Sequence, residues 1–219
     1  MPKGQAHVDE DAEMTAVKIC GMRSTGDLDR CRRADFLGFV VLAQSPRNLD
    51  LRTARELMSS CDNVKVAVTT ETDRPSLERM IALLEPDILQ LHVPLNEELL
   101  RFASGLGMKV WGMKHATPGT TVEKDCLRHC QALVLDTPGE RAGGNGTVHD
   151  WSVSRGVRES VRPFPVVLAG GLCPENAAEA VRKVAPFAVD VSSGVESGAA
   201  KDQDKVNAFI DVIREVDRP

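Results

Sequence analysis

The stretch "PVVLAGGLCPENAAEAVRKVAPFAVDVSSGVES" (165–197) contains two strand patterns with one helix pattern between them. The apolar run 165–169 ends at two glycines, and Pro174 then stands where a helix would begin. A second apolar run, 187–191, follows the helix pattern and ends in a serine–glycine turn. Two strands joined by a helix are typical of parallel pairing, so this stretch predicts one unit of a parallel α/β fold.

The same alternation of short apolar runs and amphipathic stretches occupies most of the chain. Eight strand–helix units fit a single-domain (β/α)8 TIM barrel near the lower size limit of that fold. An open doubly wound sheet is the rival interpretation, but its first turn more often reads GxGxxG, and here it reads "CGMRSTG". The predicted strands are 16–20, 36–42, 64–69, 87–92, 108–113, 132–136, 165–169 and 187–191.

Composition excludes several classes of function. The chain has 219 residues, a net charge of -5 and 42% hydrophobic residues, so it can bury a full core. An acidic chain with no basic run is a poor match for nucleic acid or for a membrane surface, and no run is long enough to span a bilayer. The polar segment 1–14 resembles no signal peptide. We therefore expect a cytoplasmic protein with a loosely ordered extension over 1–14 and a catalytic barrel over 15–219.

The six cysteines indicate no metal site. None forms a CxxC pair, and Cys126 and Cys130 are spaced as on one face of a helix, with His129 beside them. Zinc would require four ligands with tighter pairing. We therefore expect reduced thiols and a plain helix face.

Reactive side chains stand where the predicted strands end. In such barrels the active site lies at the carboxyl ends of the strands, and the loops after strands 7 and 8 often bind phosphate through backbone N–H groups. The paired glycine turns therefore favour phosphate binding at this end of the barrel. The candidate residues are Cys20, Arg47, His92 and Asp136 at four strand ends, and Gly170, Gly171, Ser192, Ser193 and Gly194 in the turns.

The first strand carries a lysine and a thiol on one face. Lys18 and Cys20 share the parity that points into a barrel, and Asp190 occupies the inward parity of strand 8. Because strand 8 adjoins strand 1 in a closed barrel, we expect Lys18 and Asp190 to form an ion pair inside it. The ammonium would also favour the thiolate form of Cys20.

The order and spacing of the motifs resemble the phosphoribosylanthranilate isomerases of tryptophan biosynthesis, from about residue 16 to 216. The cysteine of "KICG" and the ending "DVSSGVE" are specific to that family among phosphate-binding barrels. The matching segments are "VKICG", "GFV" followed by "SPR", "QLH", "LVLDT", "GGNGTVHDWS", "LAGGLCPENAAEAV" and "VDVSSGVES".

The resemblance implies an Amadori rearrangement of N-(5'-phosphoribosyl)anthranilate. It makes Asp136 the general acid that protonates the ribose ring oxygen and Cys20 the general base that removes the C2' proton. Arg47 would bind the anthranilate carboxylate, His92 would contact the substrate, and the turns at 170–171 and 192–194 would bind phosphate. No metal or organic cofactor is implied, and both monomers and homodimers occur in the family. An acid and a base must be correctly protonated together, so the pKa of the aspartate must rise and that of the thiol must fall.

Some positions depart from the family pattern. Thr147 stands where a lysine is usual, His149 replaces an aromatic residue, and Val93 replaces a glycine after "QLH". Two alternatives stay open at this point. A related barrel isomerase that also takes the histidine-pathway substrate would usually carry an aspartate in place of Cys20. A non-catalytic phosphate-binding barrel would not need Cys20 and Asp136.

Overall fold

The protein, described here from a computed structural model covering residues 14–138 and 149–218, is a closed parallel barrel. Its strands pair in chain order, β1 to β8, and β8 pairs with β1. A small antiparallel hairpin, β9–β10, precedes the last helix. The strands are β1 (Ala16–Cys20), β2 (Phe36–Val40), β3 (Val64–Thr69), β4 (Ile88–Pro94), β5 (Lys109–His115), β6 (Ala132–Asp136), β7 (Val166–Leu168), β8 (Ala188–Val191), β9 (Glu196–Ser197) and β10 (Ala200–Lys201).

In the described parts of the chain eight α-helices surround the barrel, and most begin at a side-chain cap. Asp50, Asp73 and Asn96, for example, each accept a hydrogen bond from a backbone N–H of the first helical turn. None of the described helices is long and apolar enough to cross a membrane. The helices are α1 (Thr25–Cys31), α2 (Leu51–Met58), α3 (Arg74–Leu84), α4 (Glu97–Gly105), α5 (Lys124–Leu127), α6 (Trp151–Val161), α7 (Pro174–Val184) and α8 (Gln203–Val216).

The predicted barrel and its eight strands are confirmed, and the open sheet is excluded by the β1–β8 pairing. Trp111 and Met113 on β5 are buried inside the barrel. The helix expected to carry both Cys126 and Cys130 is wrong in extent, because α5 ends at Leu127. After α5 the chain continues in tight turns that end at Cys130, whose N–H donates to the Leu127 carbonyl and whose thiol donates to the Cys126 carbonyl at 3.5 Å. Of the predicted extension over 1–14, only Met14 is among the described residues.

Candidate active site

One cavity opens at the carboxyl ends of the strands. It is lined by every predicted site residue except Gly194, which lies behind the lining. Residues from β1, β4, β6 and the loops after β2, β7 and β8 therefore meet at one mouth, as the strand-end argument predicted.

The lysine of β1 lies wholly inside the barrel. Lys18 and Asp190 are register partners on β1 and β8, and the Lys18 Nζ lies 2.8 Å from the Asp190 Oδ2. Gly38 on β2 makes room for the pair and the thiol. A Cβ at Gly38 would approach the Cys20 Sγ to 2.8 Å and the Lys18 Nζ to 3.1 Å. The predicted ion pair is thus confirmed, and a glycine on the neighbouring strand gives it space.

Burial governs the protonation of this group. Burial raises the pKa of the Cys20 thiol, and the nearby charge of Lys18 only partly opposes it. Burial likewise raises the pKa of Asp190 against the pull of Lys18. Burial alone would lower the pKa of Lys18, but the charges of Asp190 and Cys20 outweigh it and raise that pKa. Lys18 acts on the thiol in the predicted direction, but the net shift is towards the protonated thiol.

Asp136 ends β6 with a donor at each carboxylate oxygen. The Thr137 N–H donates to the Asp136 Oδ1 at 2.8 Å, and the His92 Nε2 lies 3.3 Å from the Oδ2. The Gln90 amide nitrogen lies 3.4 Å from the His92 Nδ1. With the amide nitrogen as the donor, the Nδ1 is the acceptor and the ring hydrogen lies on the Nε2, which faces Asp136. Val93 lies in the part of β4 where the register with β5 shifts, between Leu91 and Pro94.

The turn after β7 presents unpaired backbone donors to the cavity. Gly170 and Gly171 both adopt positive φ, at 87° and 71°. A Cβ at Gly170 would lie 2.2 Å from the Thr137 Oγ1, so the chain passes too close to Thr137 for any side chain. Within the described parts of the chain, the N–H groups of these two glycines meet no acceptor. Such N–H groups are well suited to phosphate oxygens.

The turn after β8 divides its roles among three residues. The Ser192 hydroxyl donates to the Cys20 carbonyl at 3.0 Å, which ties β8 to the end of β1. Ser193 lines the cavity, and its hydroxyl has no partner among the residues that the structure describes. Gly194 packs on the preceding turn, where a Cβ would lie 1.9 Å from the Leu172 carbonyl oxygen. Gly194 thus joins the two turns, whereas Ser193 offers a donor to the cavity.

Arg47 lies across the end of β1, where the absence of a side chain at Gly21 leaves room for it. A Cβ at Gly21 would lie 2.5 Å from the Arg47 Cδ. Glu196 on β9 accepts two hydrogen bonds from Arg47, from the Nε at 2.9 Å and from the Nη2 at 2.7 Å. These hydrogen bonds raise the pKa of Arg47 further. Glu196 was not predicted as a site residue, although it ends the "DVSSGVE" motif, because a lone glutamate carries no local signal.

Two buried acceptors in the cavity have no partner among the described residues. They are the Asp190 Oδ1 and the Gln90 Oε1, and both residues line the cavity. Buried acceptors are normally paired, so these two suit a ligand that carries hydroxyl or N–H groups.

The two remaining departures from the family pattern have different outcomes. Thr147 lies outside the described residues. His149 is half-buried between β6 and α6, where its Nδ1 lies 2.9 Å from the Thr137 Oγ1 and its Nε2 contacts the Ser154 hydroxyl. Burial lowers the pKa of His149, although the charges of Asp136 and Asp150 oppose it. His149 therefore fixes Thr137, whose N–H holds Asp136.

Within residues 14–138 and 149–218, no group of histidine, cysteine and carboxylate side chains is arranged to hold a metal ion. The cavity instead brings together two carboxyls, one thiol, one imidazole and one guanidinium. This set can move protons at one end and bind anions at the rim.

Comparison with known proteins gives one consistent family. A family model described as N-(5'phosphoribosyl)anthranilate (PRA) isomerase matches residues 17–212. A relative from Natronomonas pharaonis, named N-(5'-phosphoribosyl)anthranilate isomerase, is 40% identical over 206 residues, which is 90% of this chain and 97% of the relative.

Solved structures agree. The phosphoribosyl anthranilate isomerase of Thermotoga maritima superposes with a TM-score of 0.79 at 31% identity, over 92% of this chain and all of that one. A second isomerase structure, at 30% identity and a TM-score of 0.75, contains reduced 1-(o-carboxyphenylamino)-1-deoxyribulose 5-phosphate and shares the same coverage, 92% and 100%.

Proposed function

The chain belongs to the N-(5'-phosphoribosyl)anthranilate isomerase family, and on that premise we propose which of its residues carry out the reaction. The protein is an isomerase of tryptophan biosynthesis. The substrate would enter the cavity at the barrel mouth, with Asp136 as general acid and Cys20 as general base. A cytoplasmic location and a monomeric or homodimeric state are part of the same proposal.

The proposed reaction redistributes protons within the substrate and leaves its composition unchanged. Asp136 protonates the ribose ring oxygen, the C1'–O bond breaks, and the nitrogen lone pair forms a C=N bond. The Cys20 thiolate then removes the C2' proton, giving an enolamine that tautomerises to the ketone. In the tautomerisation the C2' hydroxyl loses a proton and C1' gains one. Cys20 then releases the proton it took from C2' to solvent at the open mouth, and Asp136 takes one up, so that base and acid return to their starting states.

Three features of the rim support the placement of the substrate. Arg47 offers its free N–H groups to the aryl carboxylate. The N–H groups of Gly170 and Gly171, with the Ser193 hydroxyl, suit the phosphate. The unpartnered oxygens of Asp190 and Gln90 would accept hydrogen bonds from the ribose hydroxyls or the anilino N–H.

The observation that carries this proposal is the placement of Cys20 and Asp136 in one cavity. They end β1 and β6, which the closed ring separates by β7 and β8. The two strands between them are those whose turns present the phosphate donors. A ribose anchored by its phosphate there would have the thiol on one side and the carboxyl on the other.

The test is loss of substrate fluorescence after phosphoribosylanthranilate is generated in situ. Cys20→Ser and Asp136→Asn should each lower kcat by about 10²- to 10⁴-fold, the usual contribution of a general base or acid. Cys61→Ser and Asp87→Asn are matched controls outside the cavity lining, and both should keep wild-type rates. Near wild-type turnover by either site variant would remove that residue from the mechanism.

A further inference from the structure

The arginine at the cavity rim belongs to a buried ion network. The side chains of Arg47, Glu196 and Lys201 are 12%, 9% and 0% exposed. Glu196 receives Arg47 on both carboxylate oxygens, and the Lys201 Nζ donates to the Glu196 Oε1 at 2.8 Å. Burial would raise the pKa of Glu196, but the hydrogen bonds from Arg47 and Lys201 outweigh it and lower that pKa.

Lys201 connects this network to the ends of β1 and β8. Its Nζ also donates to the Cys20 carbonyl at 2.6 Å and to the Ser192 carbonyl at 3.1 Å. An ammonium has three N–H donors, so all of them are used. The Lys201 N–H donates in turn to the buried Asp27 at 2.9 Å, which fixes the hairpin on α1. Lys201 therefore fixes the Glu196 carboxylate, and its own ammonium has no N–H left for a ligand in the cavity.

The geometry leaves part of Arg47 free. A guanidinium has five N–H donors in a rigid plane, and Glu196 occupies the Nε and one position of the Nη2. The other donors belong to a side chain that lines the cavity. Two cations and one carboxylate also leave the network with one net positive charge, which suits one carboxylate of a ligand.

We propose that Glu196 is a positioning residue that orients Arg47 towards the aryl carboxylate and so makes the enzyme selective for ortho-carboxylated arylamine substrates. Lys201 holds Glu196 in that position. A long arginine side chain loses conformational entropy when it is fixed in one rotamer. Because Glu196 already fixes Arg47 in the free enzyme, ligand binding does not have to supply that entropy loss. The inference rests on the proposed role of Arg47.

Two unreactive ligands that differ only in the carboxylate test this directly. Reductive amination of ribose 5-phosphate with anthranilate or with aniline gives the two 1-arylamino-1-deoxyribitol 5-phosphates. Their Kd values are measured by calorimetry for the wild type, Arg47→Met and Glu196→Gln. The ratio of the two Kd values reports carboxylate recognition and needs no turnover.

In the wild type the carboxylated ligand should bind at least about tenfold more tightly than the aniline-derived one. Arg47→Met should abolish that preference. Glu196→Gln keeps the shape of the side chain but loses its charge, and we expect it to lower the preference about tenfold with little change for the aniline-derived ligand. In turnover, Glu196→Gln should raise KM much more than it lowers kcat.

The outcomes separate the inference from the proposed function. Equal losses of both ligands in Glu196→Gln would indicate a merely structural role. An improved carboxylate preference would show competition for Arg47, whereas an unchanged one would mean that Glu196 has no effect on carboxylate recognition. Each of these results overturns the inference. An unchanged preference in Arg47→Met would instead overturn the proposed role of Arg47, and the inference with it.

Two further variants guard against unfolding. Glu196→Asp keeps the charge and should lose only part of the preference, so it carries the test if Glu196→Gln fails to fold. Asp35→Asn removes another long-range ion pair, to Arg214 at 2.8 Å, that lies outside the cavity lining. It should leave the ratio of the two Kd values unchanged.

Discussion

Replacing Lys18 with methionine removes one charge of the pair inside the barrel and keeps the length of the side chain. The variant leaves Asp190 buried, with its Oδ2 deprived of the only partner it has among the described residues. Breaking a buried pair in this way typically costs about 3–5 kcal/mol of unfolding free energy. The loss should be at the lower end of that range, because Asp190 can escape its charge by binding a proton.

Protonation of Asp190 sets an upper limit to the unfolding free energy that Lys18→Met can lose, and this limit depends on pH. Keeping a carboxyl of unfolded pKa near 3.9 neutral in the folded state costs about 4 kcal/mol at pH 7 and about 1.5 kcal/mol at pH 5. In the variant the folded pKa of Asp190 lies far above its unfolded value. The stability of the variant is therefore greatest at acid pH and is lost as pH rises towards that folded pKa.

Urea unfolding of the wild type and Lys18→Met at pH 5 and pH 7 measures both terms. We expect a loss of about 3–4 kcal/mol at pH 7 that shrinks to about 1–1.5 kcal/mol at pH 5. The double variant Lys18→Met/Asp190→Leu is the control, since replacing both charges with apolar groups is often neutral or stabilising. A loss below about 1 kcal/mol, or one independent of pH, would refute the reasoning.

The reactivity of the Cys20 thiol tests the ion pair independently, because the loss of Lys18 and the loss of Asp190 should change it in opposite directions. Lys18 lowers and Asp190 raises the pKa of Cys20. Alkylation of Cys20 at pH 8, followed peptide by peptide in a mass spectrometer, should slow in Lys18→Met and accelerate in Asp190→Asn. Cys31, which burial protects by raising its pKa to about 12, serves as the internal reference. Shifts of the same sign would show that the charges do not act on the thiol directly.

Three further predictions concern the rim and the base. Since burial raises the pKa of Cys20, kcat/KM should rise with pH from 6 to 9 in parallel with its alkylation, and a flat profile would contradict a thiolate base. Gly194→Ala should raise KM at least about tenfold by displacing the phosphate turns, whereas Gly105→Ala, with open space around it, should not. Because the pKa of His149 is lowered in the folded state, the wild type should lose stability as pH falls below 6.5. His149→Ala should be about 1–2 kcal/mol less stable at pH 7 and should not show that pH dependence in thermal unfolding.

The sequence was sufficient for the barrel because each strand carries its own signal. A parallel strand buried on both faces reads as a short apolar run, and the amphipathic stretches between the runs leave few other topologies. Parity then placed Lys18 and Asp190 on the inward faces of adjacent strands, and register pairs them. The same local argument failed at Cys130, because a spacing of four residues fits a helix and also fits the tight turns that follow the short helix α5.

The rim was less predictable because its organisation is tertiary. Arg47, Glu196 and Lys201 come from a loop after β2 and from both strands of a hairpin, with no shared period. Lysine is rarely buried, so nothing in the sequence marks Lys201 as an interior residue. The hydroxyl of Ser192 similarly looked like a phosphate donor, and only the structure shows it bonded to the Cys20 carbonyl.

The raised pKa of Cys20 is compatible with its proposed role as base. Because burial raises its pKa, the Cys20 thiol is less ionised at neutral pH than a free cysteine, which slows the reaction in proportion. The same shift makes each thiolate a stronger base towards the C2' proton, which the iminium group has already acidified. The charge of Lys18 limits the loss of thiolate. Lys18 stays beside the thiol because it is paired with Asp190 and because Gly38 leaves room for it inside the barrel. The lysine in β1 is therefore best understood as the charge that keeps a buried thiol within reach of ionisation.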